Sequence, residues 1–141
     1  TVRRSKLNDA QPAGANTPVI LGDTMGELAN LYAAADAVFV GGTFINHGGQ
    51  NMLEPCGLAR PTVIGPSYHN FAEPVDVLCA AQGITLIRGR GELLPALLDI
   101  FRDPNKAAEQ AQRGRDALIA HQGASAKTIE YLEEVLTKNG A

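Results

Sequence analysis

The chain has 141 residues, 45% of them hydrophobic and 19% charged, which sizes it for one globular domain with a core of its own. Its 12 basic and 15 acidic residues leave a net charge of -3 with no long run of either sign, which argues against a nucleic-acid surface or a polybasic membrane patch. No apolar stretch approaches the roughly 20 residues a membrane helix needs, and nothing at the start resembles a signal peptide.

In chain order, residues 1–18 are polar and interrupted by Pro12, Gly14 and Pro18, so they read as an irregular lead-in with Arg3-Arg4 as a solvated pair. Val19-Ile20-Leu21 is the first strand. Gly22-Asp23 turns into Thr24-x-x-Glu27, a capping box, and the helix after it sets Leu28, Leu31, Tyr32 and Ala35 on one face. Val38-Phe39-Val40 is the second strand, and a helix is predicted from Asn51 to about Ala59. Thr62-Val63-Ile64 is the third strand, broken by Gly65-Pro66. Asn70 is expected to cap a helix carrying Phe71, Val75, Leu78 and Cys79 on one face, with Pro74 tolerated in its first turn. Thr85-Leu86-Ile87 is the fourth strand. Leu94, Leu97, Leu98 and Phe101 define a helix ending near Asp103, and Pro104 opens another with a thin apolar face of Ala107, Ala111 and Leu118. Ser125 is expected to cap a last helix built on Ile129, Leu132 and Leu136, followed by a frayed tail from Asn139.

Short apolar strands alternating with amphipathic helices imply a parallel sheet covered on both faces, a Rossmann-like α/β domain. In such sheets ligands sit beyond the carboxyl ends of the strands, so the loops after Leu21, Val40 and Ile64 are expected to converge. With four convincing strands and an irregular start at Thr1, in mid-pattern, the chain is expected to be a fragment of a longer protein. Cys56 and Cys79 lie in different predicted helices without metal spacing and read as reduced, buried residues of a cytosolic protein.

The stretch 38–55, VFVGGTFINHGGQNMLEP, organises the rest. Gly41-Gly42 after a buried strand lets a backbone bend or approach a ligand, and Gly48-Gly49 precedes Asn51, whose amide can cap a helix while first-turn N–H groups face outward. That arrangement suits a phosphate. Paired glycines are also ordinary punctuation, and neither GxGxxG nor GxxxxGK[ST] occurs. Glu54 can accept hydrogen bonds from two vicinal ribose hydroxyls; equally, Asn51-x-x-Glu54 and Asn70-x-x-Glu73 both fit a cap followed by glutamate. Both readings of Glu54 stand on residue chemistry alone. His47 can pair with an anion or simply be solvated, and Ser67, Tyr68 and His69 are further candidates beside a sugar. No His/Cys/Asp cluster has ligand spacing, so no metal is expected, and there is no GxSxG elbow.

Gly22-Asp23-Thr24-Met25-Gly26-Glu27-Leu28, Ala35-Asp36, Phe39-Val40-Gly41-Gly42, Gly48-Gly49-Gln50-Asn51-x-Leu53-Glu54-Pro55 and Asn70-Phe71-Ala72-Glu73 resemble, in order and spacing, the carboxyl-terminal half of the Kdo transferase family. The similarity is dense from Gly22 to Glu73. It implies the donor-binding, C-terminal domain of a glycosyltransferase B fold, in an enzyme of lipopolysaccharide assembly that transfers Kdo from CMP-Kdo to a lipid A precursor without a metal. By that pattern Met25, Gly26 and Glu27 line the nucleotide, and Asn51, Met52, Leu53 and Glu54 hold its ribose and phosphate. Gly41, Gly42, Gly48, Gly49 and Gln50 complete the expected site. The family's catalytic carboxylate and acceptor site would lie in an amino-terminal domain outside this chain, as would any attachment to the cytoplasmic face of the bacterial inner membrane. Where the family has Gly-Gly-His-Asn-Pro-Leu-Glu, this chain has Gln50 for the histidine and Met52 for the proline; Gln50 can donate a hydrogen bond but cannot take up a proton and become charged at pH 7. The rival readings are a domain for a UDP-sugar, revealed by preference for a uridine nucleotide, and a non-catalytic Rossmann-like module, in which Gly41, Gly49 and Glu54 could change without loss of nucleotide binding.

Overall fold

The computed structural model describes residues 1–8, 10 and 12–139, with side chains to residue 122. Two compact units divide the chain, Thr1–Leu31 and Tyr32–Ala141.

The first unit contains a two-stranded parallel ladder, β1 (Val2–Arg3) and β2 (Ile20–Leu21), with Val2 opposite Ile20 and Arg3 opposite Leu21. This corrects three expectations. The lead-in is not wholly irregular, because it supplies β1. Ile20–Leu21 pairs with β1 and is no member of the main sheet. Arg3 and Arg4 are engaged: Arg3 meets Asp23 at 3.3 Å and Arg4 meets Glu27 at 2.6 Å. Two residues per strand leave most of their apolar surface uncovered, and Val19, Ile20 and Leu21 stay about half exposed rather than buried. Helix α1 (Leu28–Ala34) carries residues of both units, and its Leu28 and Leu31 are also exposed.

The second unit is built on the parallel sheet β3 (Val38–Phe39), β4 (Thr62–Ile64) and β5 (Thr85–Leu86), in that order. Val38 pairs with Thr62 and Val63 with Thr85, so each predicted strand lies within a residue of its place. β4 is central and buried at every position, as a strand covered on both faces must be. Period-two alternation then divides the core. Val38, Val40, Ile64 and Ile84 face one side with Met52, Cys56, Val75 and Leu78, while Val63 and Ile87 face the other with Ile100 and Ala107. Between the strands run α2 (Leu53–Gly57) and α3 (Ala72–Ala80), and after β5 come α4 (Leu93–Arg102) and α5 (Pro104–Asn139).

Cys56 and Cys79 are free thiols on α2 and α3, and burial pushes the Cys56 thiol up to about 11 against a lowering hydrogen bond from Thr62. α5 runs unbroken through Ser125, so no separate last helix is capped there. One glycine inside a helix costs only about 1 kcal/mol, and Gly123-Ala124 brings no proline to stop it. The tail expected to fray from Asn139 is still helical at that residue, the last of α5; Gly140, Ala141 and the side chains of Ile129, Leu132 and Leu136 lie outside the described residues.

Candidate functional site

Loops 40–52 and 65–71 leave the carboxyl ends of neighbouring strands β3 and β4 and are tied together. Thr43 is fully buried; its hydroxyl donates to the Val40 C=O at 2.8 Å and accepts the Gly65 N–H at 2.9 Å. Its C=O accepts the Ser67 N–H at 2.9 Å. From the other loop, Asn70 donates through Nδ2 to the His47 C=O at 3.0 Å and through its backbone N–H to the Gly48 C=O at 3.3 Å, while the Gly48 N–H donates to Ser67 Oγ at 3.3 Å. Asn70 therefore fastens loops instead of capping: α3 has no side-chain cap. Two of the three expected loops thus converge, and the third, after Leu21, belongs to the first unit.

The glycines have definite reasons. Gly42, Gly48 and Gly49 hold φ of 76°, 83° and 84°, a region costly for any residue with a Cβ. A Cβ on Gly48 would also fall 2.4 Å from Asn70 Nδ2. A Cβ on Gly41 would meet nothing within 4 Å, so crowding within the chain does not explain that glycine.

Asn51, Met52, Leu53 and Glu54 follow directly. The predicted helix start moves from Asn51 to Leu53, yet the Asn51 side chain still satisfies a first-turn donor: the Leu53 N–H reaches its Oδ1 at 3.0 Å. Asn51 Nδ2 donates to Glu54 Oε1 at 2.9 Å, closing a side-chain pair rather than a capping box. Met52 buries its side chain completely in the core, a contribution of about 1.5–3 kcal/mol, so only its backbone is left to meet a ligand. Gln50 and His47 are exposed, and the Gln50 N–H returns to the Gly41 C=O at 3.2 Å, drawing the two glycine pairs together. Tyr32 joins this neighbourhood: partial burial and then the Glu54 charge push its phenol above the ordinary tyrosine range. Tyr32, Thr43 and Asn70's true role were missed in the sequence because each acts through a partner more than twenty residues away.

In the first unit, Met25 is 96% exposed and Gly26 holds φ of 80° with nothing within 4 Å of a Cβ, so that glycine is required by its backbone and not by crowding. Glu27 is spoken for: Arg4 takes Oε1, and the Thr24 hydroxyl donates to Oε2. The Thr24-x-x-Glu27 box is not formed as expected, because α1 starts at Leu28 and the pair meets side chain to side chain. Among the described residues no group of three or more His, Cys, Asp or Glu side chains is placed to hold a metal ion, and no helix is long and apolar enough to cross a membrane.

A parallel sheet with helices on both faces and a glycine-rich knot at its carboxyl ends makes the second unit a Rossmann-like α/β domain. No family model matches the chain. It is 33% identical over 125 residues to the 3-deoxy-D-manno-octulosonic acid transferase of Haemophilus influenzae and 34% over 133 residues to that of Bordetella pertussis, covering 88% and 94% of this chain. Among solved structures it resembles the C-terminal CMP-Kdo binding domain of WaaA from Acinetobacter baumannii, with a TM-score of 0.74, 33% identity, and coverage of 82% of this chain and 59% of that one. The chain belongs to the Kdo transferase family, and it spans 29% and 31% of the length of the two curated relatives.

Proposed function

We propose that this chain binds the donor, CMP-Kdo, for a glycosyltransferase that passes Kdo to a lipid A precursor. The observation that carries the reading is the likeness, at 33% identity and a TM-score of 0.74, to a domain described as CMP-Kdo binding. The loop offers the fitting chemistry: at Gly41, exposed and with open space where a Cβ would stand, a backbone that a phosphate can approach, and at Glu54 a carboxylate with one oxygen beyond the one that Asn51 holds. Met25, Gly26 and Glu27 are proposed to meet the nucleotide; because Glu27 already carries Arg4 and Thr24, its part would be to fix that turn. The catalytic carboxylate, the acceptor site and any hold on the cytoplasmic face of the inner membrane belong, in this proposal, to the remainder of the enzyme. The donor is held without a metal.

Amide shifts of this chain during separate additions of CMP and UMP test the reading. Changes confined to Met25, Gly26, Glu27, Gly41, Gly42 and residues 48–54, larger for CMP and indifferent to a chelator, are expected. A larger response to UMP would transfer the proposal to a UDP-sugar donor, and silence with both nucleotides would overturn it for the isolated chain.

A further inference from the structure

Thr43 lies at 0% exposure at the carboxyl end of β3, where a valine would fill the same volume. Only a hydroxyl, with one proton and two lone pairs, can give to the Val40 C=O and take from the Gly65 N–H at once. Its own C=O then holds the Ser67 N–H, and Ser67 Oγ accepts the Gly48 N–H. Its methyl stands against the next glycine: a Cβ on Gly49 would be 3.2 Å from Thr43 Cγ2 and 3.3 Å from the Ser67 C=O. The residue therefore touches both glycines of the turn, Gly48 by way of its backbone C=O and Ser67 and Gly49 through its methyl, while its hydroxyl fastens the strand end at Val40 to Gly65, two residues before Ser67.

We propose that Thr43 is a positioning residue, locking the loop after β3 to the loop after β4 so that the Gly48-Gly49 turn and the segment to Glu54 are held in one geometry. That the segment faces a donor nucleotide rests on the function proposed above; that Thr43 holds it does not. A residue there for volume alone would be replaced by valine without consequence for the loop. A residue there for its hydroxyl would not.

Amide hydrogen exchange of this chain, as wild type, Thr43→Val and Thr43→Ser, separates the two, with a CMP titration of each. In Thr43→Val the amides of Gly48, Gln50 and Leu53 should exchange about tenfold faster, while those of Val40 and Ile87, which are bonded within the sheet to Val63 and Ile64, stay within about threefold. Thr43→Ser, which keeps the hydroxyl, should restore the loop, and CMP affinity should fall about tenfold in the valine variant alone. Unchanged loop exchange in Thr43→Val overturns the proposal, as does an acceleration shared equally by Val40 and Ile87. If Thr43→Val does not fold, Thr43→Ser decides: wild-type loop exchange supports the proposal, and a loop as fast as unprotected backbone overturns it. Failure of the wild type to bind CMP counts against the donor reading, and the exchange pattern still decides on Thr43.

Discussion

Glu54 already has one partner inside the chain, the Asn51 amide on Oε1 at 2.9 Å, so a ribose would have to use its other oxygen and its charge. Glu54→Gln keeps a carbonyl oxygen for Asn51 and removes the charge. Hydrogen bonds to charged groups are worth about 1 kcal/mol more than neutral ones, so CMP affinity should weaken about fivefold while the urea midpoint barely moves. The Tyr32 phenol, relieved of the Glu54 charge but still partly buried, should titrate lower than in the wild type. Unchanged affinity would return Glu54 to a local fastening role. In the first unit the Asp23 carboxylate is held below its ordinary range, chiefly by the Ser5 N–H at 2.9 Å, then by the Ser5 hydroxyl, with Arg3 adding to it. A depressed carboxylate stabilises fully above its unfolded value, about 3.9, and the contribution disappears as pH falls through the lower folded value. Acidification from pH 6 to 2 should therefore release the Ser5 amide, followed by its shift, and Asp23→Asn should remove that pH dependence. These residues also mark what local patterns conceal. Thr24, Asn51 and Asn70 each sit in a cap-then-glutamate pattern, and only Asn51 takes a first-turn N–H with its side chain; Thr24 and Asn70 found other partners in the folded chain.

Strands β3, β4 and β5 were legible because Val38, Val63 and Ile64 crowd β-branched residues into short runs bounded by turn residues. β1 was not, since Val2-Arg3 is two residues whose strand character comes wholly from pairing with Ile20–Leu21. The thin face of α5 acquires a meaning only from its packing. Ala107 and Ala111 are buried, and Gly114 continues their stripe into contact with Gly83: a Cβ on Gly114 would lie 2.6 Å from the Gly83 C=O. Small residues are what let α5 settle against the turn between α3 and β5. By helix propensity Gly114→Ala should stabilise by about 1 kcal/mol, whereas forcing a methyl against fixed backbone costs about 1–3 kcal/mol. Packing should win, lowering the unfolding free energy by about 1 kcal/mol with an unchanged urea slope. A more stable Gly114→Ala would show that α5 is not seated on Gly83.

At the scale of the whole molecule, extent governs the expectation. The chain spans 29% and 31% of its curated relatives, and its own contribution is a sheet end with two interlocked loops and one free carboxylate oxygen at Glu54. Such a surface can orient a nucleotide, but transfer also needs a base to take the acceptor's proton and a second wall to exclude water. With ligand contacts from one side only, CMP affinity should be of millimolar order, about -4 kcal/mol. The chain mixed with CMP-Kdo and a lipid A precursor should then form no glycosylated product, while a protein of the relatives' full length carrying this segment should form it and bind CMP more tightly. Product from the isolated chain, followed by mass spectrometry of the lipid, would place the acid-base group among these 141 residues and end the division of labour proposed above. Submicromolar CMP affinity without product would instead mean that the nucleotide site is complete here, and that the remainder of the enzyme contributes the acceptor and the proton transfer alone.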